Sequence, residues 1–275
     1  MWAKVLLSAL AILMIGGALH FRVEPAATPA GSGAVGGHRI RLMTWNIGYA
    51  GLEDDTRAHS DDLKAVAKTI LDNKPDAVAI QELAGADQLK VLIDQLNGEY
   101  RGSTCKPGSA DRVEAVLVRD RSPRFGNVPA GDRFAMSATF HPRPELPAIV
   151  LVSAHTDAFN AAKRRAFTGE IVDWARQRPA DQTVFIAGDL NFELKAANKS
   201  NLFTDSLKND SEAYSYVLRY FRDLGRDAGA TALNDRRIDY VFGLQDVVLE
   251  QAQVLKEASV GQMDHWPLMV DCRLK

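Results

Sequence analysis

From residue 38 onward, short apolar segments of strand-like composition alternate irregularly with amphipathic segments of helical spacing. The segment AVAIQEL precedes a helical segment, DQLKVLIDQLNGEY, but VEAVLVRD, FAMSATFH and AIVLVSAHTD follow one another with no helical segment between them. A doubly wound parallel sheet requires a crossover between strands, so this order favours two packed sheets with helices outside. No linker or repeat interrupts residues 38–275, which predicts one domain there.

Composition is that of a globular protein, with 46% hydrophobic and 25% charged residues and a formal net charge of -2. The bulk charge therefore does not indicate a nucleic-acid binder, although local basic clusters could still serve that purpose. One such cluster is KRR at 163–165, whose helical context predicts a solvated face. For the two cysteines, Cys105 and Cys272, we favour independent buried thiols over a disulfide.

The first 37 residues differ in kind from the rest. After Lys4, the chain carries no formal charge from Val5 to Phe21, and EPAATPAGSGAVGG then has the composition of a flexible tether. We predict a signal peptide or N-terminal membrane anchor followed by a tether, with cleavage left open. The prediction places the protein outside the cytoplasm, either secreted or periplasmic, or associated with the membrane through residues 2–21. A buried N-terminal helix is the alternative, and the tether argues against it.

Polar residues stand at the ends of several predicted strands, where burial makes them costly unless they are paired or bound to metal. They are Asn46, Glu82, His155, Asp189, Asn191, Asp239, Asp264 and His265. If these ends converge, they form an oxygen-rich site with two imidazoles, suited to Mg²⁺, Mn²⁺ or Ca²⁺ rather than zinc. Singly, each has a simpler explanation: Asn46 as a turn residue, Glu82 as a helix cap, or Asp239 as an ion-pair partner of Arg237.

Six motifs in order, TWNIG, IQE, AHTD, GDLNF, RIDYVF and MDHWPL, resemble those of the endonuclease/exonuclease/phosphatase superfamily. The resemblance covers about residues 40 to 274. It implies a catalytic domain over 38–275, folded as an α+β, four-layer α/β/β/α sandwich of two mixed β-sheets flanked by helices. It also implies hydrolysis of a phosphoester by water with a divalent cation, taken as Mg²⁺ with Mn²⁺ or Ca²⁺ as alternatives.

The same resemblance assigns roles to the polar residues. It makes Glu82, Asn46 and Asp264 metal-site residues, and it makes His265 the catalytic histidine with Asp239 as its carboxylate partner. Asp189 and Asn191 would orient water and bind the phosphate, and because they lie two apart they would share one face of an extended strand. His155 would be a second imidazole near the phosphate or leaving group.

Two further residues bear on the substrate. Arg133 stands where relatives often carry a phosphate-contacting arginine, and a surface charge is its alternative. Glu114 stands where many relatives have asparagine, and it could support a histidine or face solvent. His155 favours the deoxyribonuclease, sphingomyelinase and phosphatase branches over the abasic-site branch.

We therefore expect a phosphodiesterase, with nuclease activity ahead of phospholipid head-group cleavage. A phosphomonoesterase and a non-catalytic binding module are the alternatives. The partners that we expect are the phosphodiester substrate, whether nucleic acid or lipid head group, and no obligate protein.

Overall fold

The computed structural model describes residues 38–48, 59–106, 112–144, 146–201, 206–258, 260 and 263–274. The predicted signal or anchor segment and tether, residues 1–37, lie outside these ranges. Within the ranges, the helices are too short or too polar to cross a membrane.

Two mixed sheets of six strands each make up the centre of the described domain. The first contains β1 (His38–Asn46), β2 (Ala77–Leu83), β3 (Arg101–Thr104), β4 (Val113–Val118), β11 (Val248–Val254) and β12 (Leu268–Leu274), in the order β11-β12-β1-β2-β4-β3. The second contains β5 (Arg124–Ala130), β6 (Arg133–Phe140), β7 (Ile149–His155), β8 (Thr183–Asp189), β9 (Phe221–Asp223) and β10 (Asp239–Leu244), in the order β5-β6-β7-β8-β10-β9. Each sheet holds one parallel pair, β1 with β2 and β7 with β8.

Helices cover the outer faces of the two sheets. The α-helices among the described residues are α1 (His59–Asn73), α2 (Ala86–Gln95), α3 (Ala161–Arg176) and α4 (Leu207–Leu218). Helices α1 and α2 pack against the first sheet, and α3 and α4 pack against the second. Two short 3-10 helices span Ala196–Asn201 and Lys256–Ala258. The four-layer sandwich expected from the sequence motifs is therefore confirmed.

The two sheets are joined by an apolar core and, near the strand ends, by buried polar contacts. The core includes Trp45 and Ile80 from the first sheet and Leu151 and Phe185 from the second, all fully buried. Next to them, Gln81 Nε2 donates to Ser153 Oγ at 2.9 Å, and Ser153 Oγ donates to the carbonyl of Ile80 at 2.9 Å. Since a buried polar group without a partner is costly, these bonds fix β2 against β7 one residue before Glu82.

Three elements differ from the sequence prediction. The helical spacing of SEAYSYVLRYFRDLG predicts one helix over 211–225, but α4 ends at Leu218 and Phe221–Asp223 forms β9 beside β10. This pairing gives hydrogen-bond partners to the exposed backbone of β10, which outweighs the helical pattern. Strands β3 and β5 were not predicted, because RGST and RFGNVPA lack an apolar run.

The basic run at 163–165 is only partly solvated. Lys163 and Arg165 are exposed, but Arg164 is fully buried, so the prediction of a solvated face is wrong for this residue. Arg164 Nε donates to Asp210 Oδ1 of α4 at 2.9 Å, and Nη1 donates to the carbonyl of Asp157 at 2.8 Å. Arg164 thereby ties the loop after β7 to α4. Both cysteines are free and buried, as favoured from the sequence.

Candidate active site

The polar strand ends converge at one end of the sandwich. The first sheet contributes Asn46 at the end of β1 and Glu82 near the end of β2. The second sheet contributes three residues from adjacent strands, because register pairs Asp189 with both His155 and Asp239. His265 enters from the segment before β12, where its backbone carbonyl accepts a hydrogen bond from Trp45 Nε1 at 3.3 Å.

Asn46, Glu82 and Asp189 form a cluster that bridges the sheets. Asn46 Nδ2 donates to Glu82 Oε1 and to Asp189 Oδ2, both at 3.0 Å. Its Oδ1 accepts from the backbone N–H of Gly48 at 3.0 Å. Asn46 and Asp189 are each 2% exposed, so the negative charge of the two carboxylates is concentrated away from bulk water.

The backbone around this cluster departs from regular strand geometry. The register between β2 and β4 shifts between Ile80 and Leu83, and Glu82 within the shift has a φ of 61°. Asn191 has a φ of 51°, so it lies beyond the end of β8 in a left-handed conformation. The prediction that Asp189 and Asn191 share a face of an extended strand is therefore wrong. A tight turn unites them instead, with the Asn191 N–H donating to Asp189 Oδ1 at 3.0 Å.

His265 and Asp239 form the hydrogen-bonded pair that the motifs imply. The Nδ1–Oδ2 distance is 2.8 Å, and the second ring nitrogen, Nε2, lies 3.7 Å from Asp189 Oδ2. Burial by itself would lower the pKa of His265, but the carboxylates of Asp239 and Asp189 outweigh it and raise the pKa to about 10. Burial raises the pKa of Asp239, and the charge of His265 opposes that rise. The imidazole is therefore held as a cation at neutral pH.

A turn around Thr231 aligns the pair. Thr231 Oγ1 accepts from the backbone N–H groups of Ile238 and Asp239 at 3.2 and 3.1 Å. The Thr231 carbonyl accepts from the N–H of Trp266 at 2.7 Å, so one residue holds both the Asp239 strand and the His265 loop. Thr231 is fully buried and carried no signal in the sequence that pointed to this position.

His155 lies on the opposite side of Asp189 from His265. Its Nε2 is 3.6 Å from both Asp189 Oδ2 and Glu82 Oε1, and its Nδ1 is 3.9 Å from Glu114 Oε1. Glu114 is buried inside β4 and does not face solvent. Burial raises the pKa of its carboxyl, and its Oε2 accepts from the thiol of Cys105 at 2.9 Å. Glu114 therefore faces the Nδ1 side of the His155 ring, whereas Asp189 faces the Nε2 side.

Residues 43–261 match the model of the Endonuclease/Exonuclease/phosphatase family. The match spans more than half of the chain. The chain belongs to this family. A search among curated proteins found no match.

Several solved structures share the fold of this chain. The endonuclease/exonuclease/phosphatase from Bacteroides vulgatus has a TM-score of 0.69 at 18% identity, covering 86% of this chain and 100% of that one. The human Nocturnin catalytic domain, solved with a bound sulfate anion, has a TM-score of 0.65 at 18% identity, covering 85% and 94%. A humanized D. rerio TDP2 carrying 14 mutations has a TM-score of 0.64 at 15% identity, covering 86% and 99%.

Proteins of the endonuclease/exonuclease/phosphatase family generally use a divalent metal, and the donor set here suits one. Glu82, His155 and Asp189 offer ligand atoms within 4.8 Å of one another, and so do Asp189, Asp239 and His265. In the second group the ring nitrogen Nδ1 of His265 is already bonded to Asp239. The first group, with two carboxylates beside the amide of Asn46, is the better fit for a hard cation.

Three further predicted residues surround this cluster, with Asp264 exposed, Arg133 partly exposed and Asn191 buried. The Asp264 side chain is 61% exposed, and its Oδ1 is 3.9 Å from His265 Nε2; it belongs to neither ligand group among the described residues. Its role at the metal stays a prediction. Arg133 begins β6, with Nη2 3.9 Å from Asp157 Oδ2. Asn191 Nδ2 donates to the carbonyl of Thr156 at 3.3 Å.

Sequence reasoning missed Arg112. This residue lies just before β4, and its guanidinium contacts Glu82 Oε2. The sequence signal that could have found it is its spacing, two residues before Glu114, which places both residues near the same end of one strand.

Proposed function

We propose that this protein is a divalent-metal-dependent phosphodiesterase that uses water as the nucleophile. The observation that carries the proposal is the position of Asp189. Its Oδ2 is hydrogen-bonded to Asn46 beside Glu82, and it lies 3.6 and 3.7 Å from the Nε2 atoms of His155 and His265. Residues that could bind a cation and two imidazoles are therefore grouped around the Asp189 carboxylate. Phosphoester hydrolysis requires both a cation site and nearby groups that handle protons.

The role that we assign to each residue follows from the chemistry of its side chain. Glu82, Asn46 and Asp264 would hold the cation beside the Asp189 carboxylate. When bound, the cation would neutralise charge on the phosphate oxygens and lower the pKa of a bound water. Asn46 would present its amide oxygen by a half-turn of the amide, which breaks the bond from Gly48 and the two bonds that Nδ2 donates to Glu82 and Asp189. Asp189 accepts a hydrogen bond from the attacking water, and Asn191 donates to a phosphate oxygen.

The two imidazoles serve the phosphate and the leaving group. His265, held as a cation by Asp239, supplies positive charge and a proton donor to the phosphate. His155, supported by Glu114, lies on the other side of Asp189 and is the group that we assign to the leaving oxygen. Arg133 at the rim would contact a phosphate oxygen through its guanidinium.

We propose a phosphodiester as the substrate, with a phosphomonoester as the alternative; in either case a proton donor assists departure of the alkoxide leaving group. Nuclease activity stands ahead of phospholipid head-group cleavage. Support comes from the family match, since family members generally hydrolyse phosphoesters with a metal. We further propose that the enzyme acts outside the cytoplasm, secreted, periplasmic or membrane-anchored, on the strength of the charge-free stretch from Val5 to Phe21.

One assay tests the proposal. The full-length protein is incubated with plasmid DNA, RNA, sphingomyelin and a phosphomonoester, each with Mg²⁺, Mn²⁺, Ca²⁺ or EDTA. We expect metal-dependent cleavage of a diester and a loss on the order of 100-fold or more in His265→Ala.

The matched control is His141→Ala. This histidine directly follows β6, and its Nδ1 lies 3.1 Å from the carbonyl of Leu146, a neighbour in the chain rather than a site residue. The His141→Ala variant should cleave the substrate at the wild-type rate. Absence of turnover on every substrate would refute the enzyme, turnover of the monoester alone would refute the diester assignment, and full activity in His265→Ala would refute the mechanism.

A further inference from the structure

Arg112 is a cationic side chain in contact with the residue that we assign as the main cation ligand. Its Nη1 contacts Glu82 Oε2, while Glu82 Oε1 accepts from Asn46 Nδ2. Both carboxylate oxygens of Glu82 are therefore engaged by donors. The Glu82 side chain is 12% exposed, whereas that of Arg112 is 33% exposed, so the arginine reaches the carboxylate from the solvent side.

The local backbone explains why these two residues meet. After the register shift between Ile80 and Leu83, Leu83 pairs with Val113, the residue that follows Arg112. Glu82 lies within the shift, and its positive φ turns the side chain away from the regular strand alternation. A non-glycine residue in this conformation is held there by its surroundings, and such positions cluster at functional sites.

A guanidinium and a divalent cation compete for the same carboxylate. Both are positive, so each weakens binding of the other at Glu82 through charge repulsion in a partly buried site. Arg112 is exposed enough to leave the contact, and its planar fork matches the oxygens of a phosphate group. When the cation displaces it from Glu82, a phosphate bound at that cation offers the guanidinium another pair of anionic oxygens.

We propose that Arg112 exchanges partners during binding: it pairs with Glu82 in the metal-free protein and with the substrate phosphate once the cation is bound. The inference rests on the proposed function, because it takes Glu82 as the cation ligand. It makes Arg112 a phosphate-binding residue of the reaction, and it makes substrate binding and metal binding depend on each other through one side chain.

The test measures binding without turnover. Calorimetry gives the dissociation constant of Mn²⁺ for wild type and Arg112→Gln, and then that of inorganic phosphate for each Mg²⁺-saturated protein. Without its competitor, Mn²⁺ should bind about three- to tenfold more tightly to Arg112→Gln. Phosphate should bind about tenfold more weakly, since a charge-assisted bond is lost.

Arg119→Gln is the matched control. Arg119 follows the other end of β4, is 35% exposed, and lies 3.3 Å from a carboxylate, Glu99, outside the site. It should bind Mn²⁺ and phosphate as wild type does. Arg112→Lys keeps the positive charge but lacks the planar pair of guanidinium N–H donors. Its Mn²⁺ affinity should therefore stay near that of wild type while its phosphate affinity falls.

The outcomes separate this inference from the proposed function. If wild type fails to bind Mn²⁺, or Glu82→Gln binds it as well as wild type does, the metal site itself is refuted. If wild type binds Mn²⁺ through Glu82 but Arg112→Gln binds it no more tightly, only the exchange is overturned. Unchanged phosphate affinity in Arg112→Gln overturns the assignment of Arg112 to the substrate phosphate.

Discussion

At the scale of single residues, the charge on His265 is set by two carboxylates with different positions. Asp239 is fully buried and bonded to Nδ1, while Asp189 faces Nε2 across 3.7 Å. Burial disfavours the charged form of an isolated imidazole, so the proton is retained only because both acids are close. The folded protein thus binds a proton on His265 more tightly than the unfolded chain does, and folding stability depends on pH.

We predict that this dependence appears between the two pKa values of His265. Its folded pKa of about 10 lies above the ordinary value of 6.5, so the protonated imidazole stabilises the fold fully below 6.5. That contribution is lost as pH rises toward 10, at up to about 1.4 kcal/mol per pH unit. In EDTA, the unfolding free energy of wild type relative to His265→Gln should fall across this window. A difference that stays constant from pH 6 to pH 10 would contradict the prediction.

The residue types at the site and the pairing of His265 with Asp239 could be predicted from the sequence motifs, but the other contacts could not. The motif order identified Glu82, Asp189, Asp239 and His265, and these residues do converge. The contact between Arg112 and Glu82 depends on a register shift between two strands, and no pattern within either strand encodes that shift. Adjacency in the sequence did not predict burial either, since His265 is buried and its neighbour Asp264 is exposed.

At the scale of elements, β7 and β8 bring the site residues together because their backbones approach closely. Gly188 has a φ of 146°, and a Cβ at this position would lie 1.8 Å from the carbonyl oxygen of Ala154. The next residue along each strand is a site residue, His155 on β7 and Asp189 on β8. The close approach at Gly188 therefore sets the spacing between the imidazole and the carboxylate.

We predict that Gly188→Ala destabilises the protein by more than about 3 kcal/mol, because both the backbone conformation and the missing space exclude a side chain. Chemical unfolding measures the loss, or the variant is insoluble. Gly169→Ala is the matched control: Gly169 lies inside α3 with no atom within 4 Å of the added Cβ. It should gain roughly 0.5–1 kcal/mol from helix propensity. A Gly188→Ala variant that unfolds like wild type would refute this account.

Elements with strong periodicity were predictable, and those defined by pairing were not. The apolar strands AVAIQEL and TVFIAGD and the helix α3 follow their patterns closely. Strand β9 was predicted as helix because FRD continues the helical spacing of the residues before it. Its strand conformation depends on pairing with β10, which the local sequence does not indicate. Edge strands such as β5 are exposed at Arg124 and Asn127, so they lack the apolar alternation that reveals a strand.

At the scale of the whole molecule, the proposed active site around the cation spans both sheets. Glu82 and Asn46 belong to the first sheet, and Asp189 and His155 belong to the second. Without a cation, the polar contacts between the sheets at this end include the hydrogen bond from Asn46 to Asp189 and the approach of His155 to Glu82. Two carboxylates facing each other repel, so the arrangement favours cation binding over the stability of the metal-free fold.

We predict that a divalent cation stabilises the whole domain and that Glu82→Gln abolishes this effect. Saturation at 100 times the dissociation constant should add about 2.7 kcal/mol to the unfolding free energy of wild type, because the cation binds only the folded state. Thermal unfolding with Mn²⁺ and with EDTA measures the gain. In EDTA, Glu82→Gln should match wild type within about 1 kcal/mol, since losing one carboxylate relieves repulsion while weakening the contact with Arg112.

Glu99→Gln is the control for this prediction, because Glu99 pairs with Arg119 on the surface, away from the site, and should leave the Mn²⁺ effect intact. If Mn²⁺ raises the melting temperature of Glu82→Gln as much as that of wild type, the cation binds elsewhere. A gain confined to wild type and Glu99→Gln would instead mean that the cation binds through Glu82. The repulsion between the Glu82 and Asp189 carboxylates destabilises the metal-free protein and is offset only when the cation is bound. Cation binding would then raise the stability of the fold and complete the active site together.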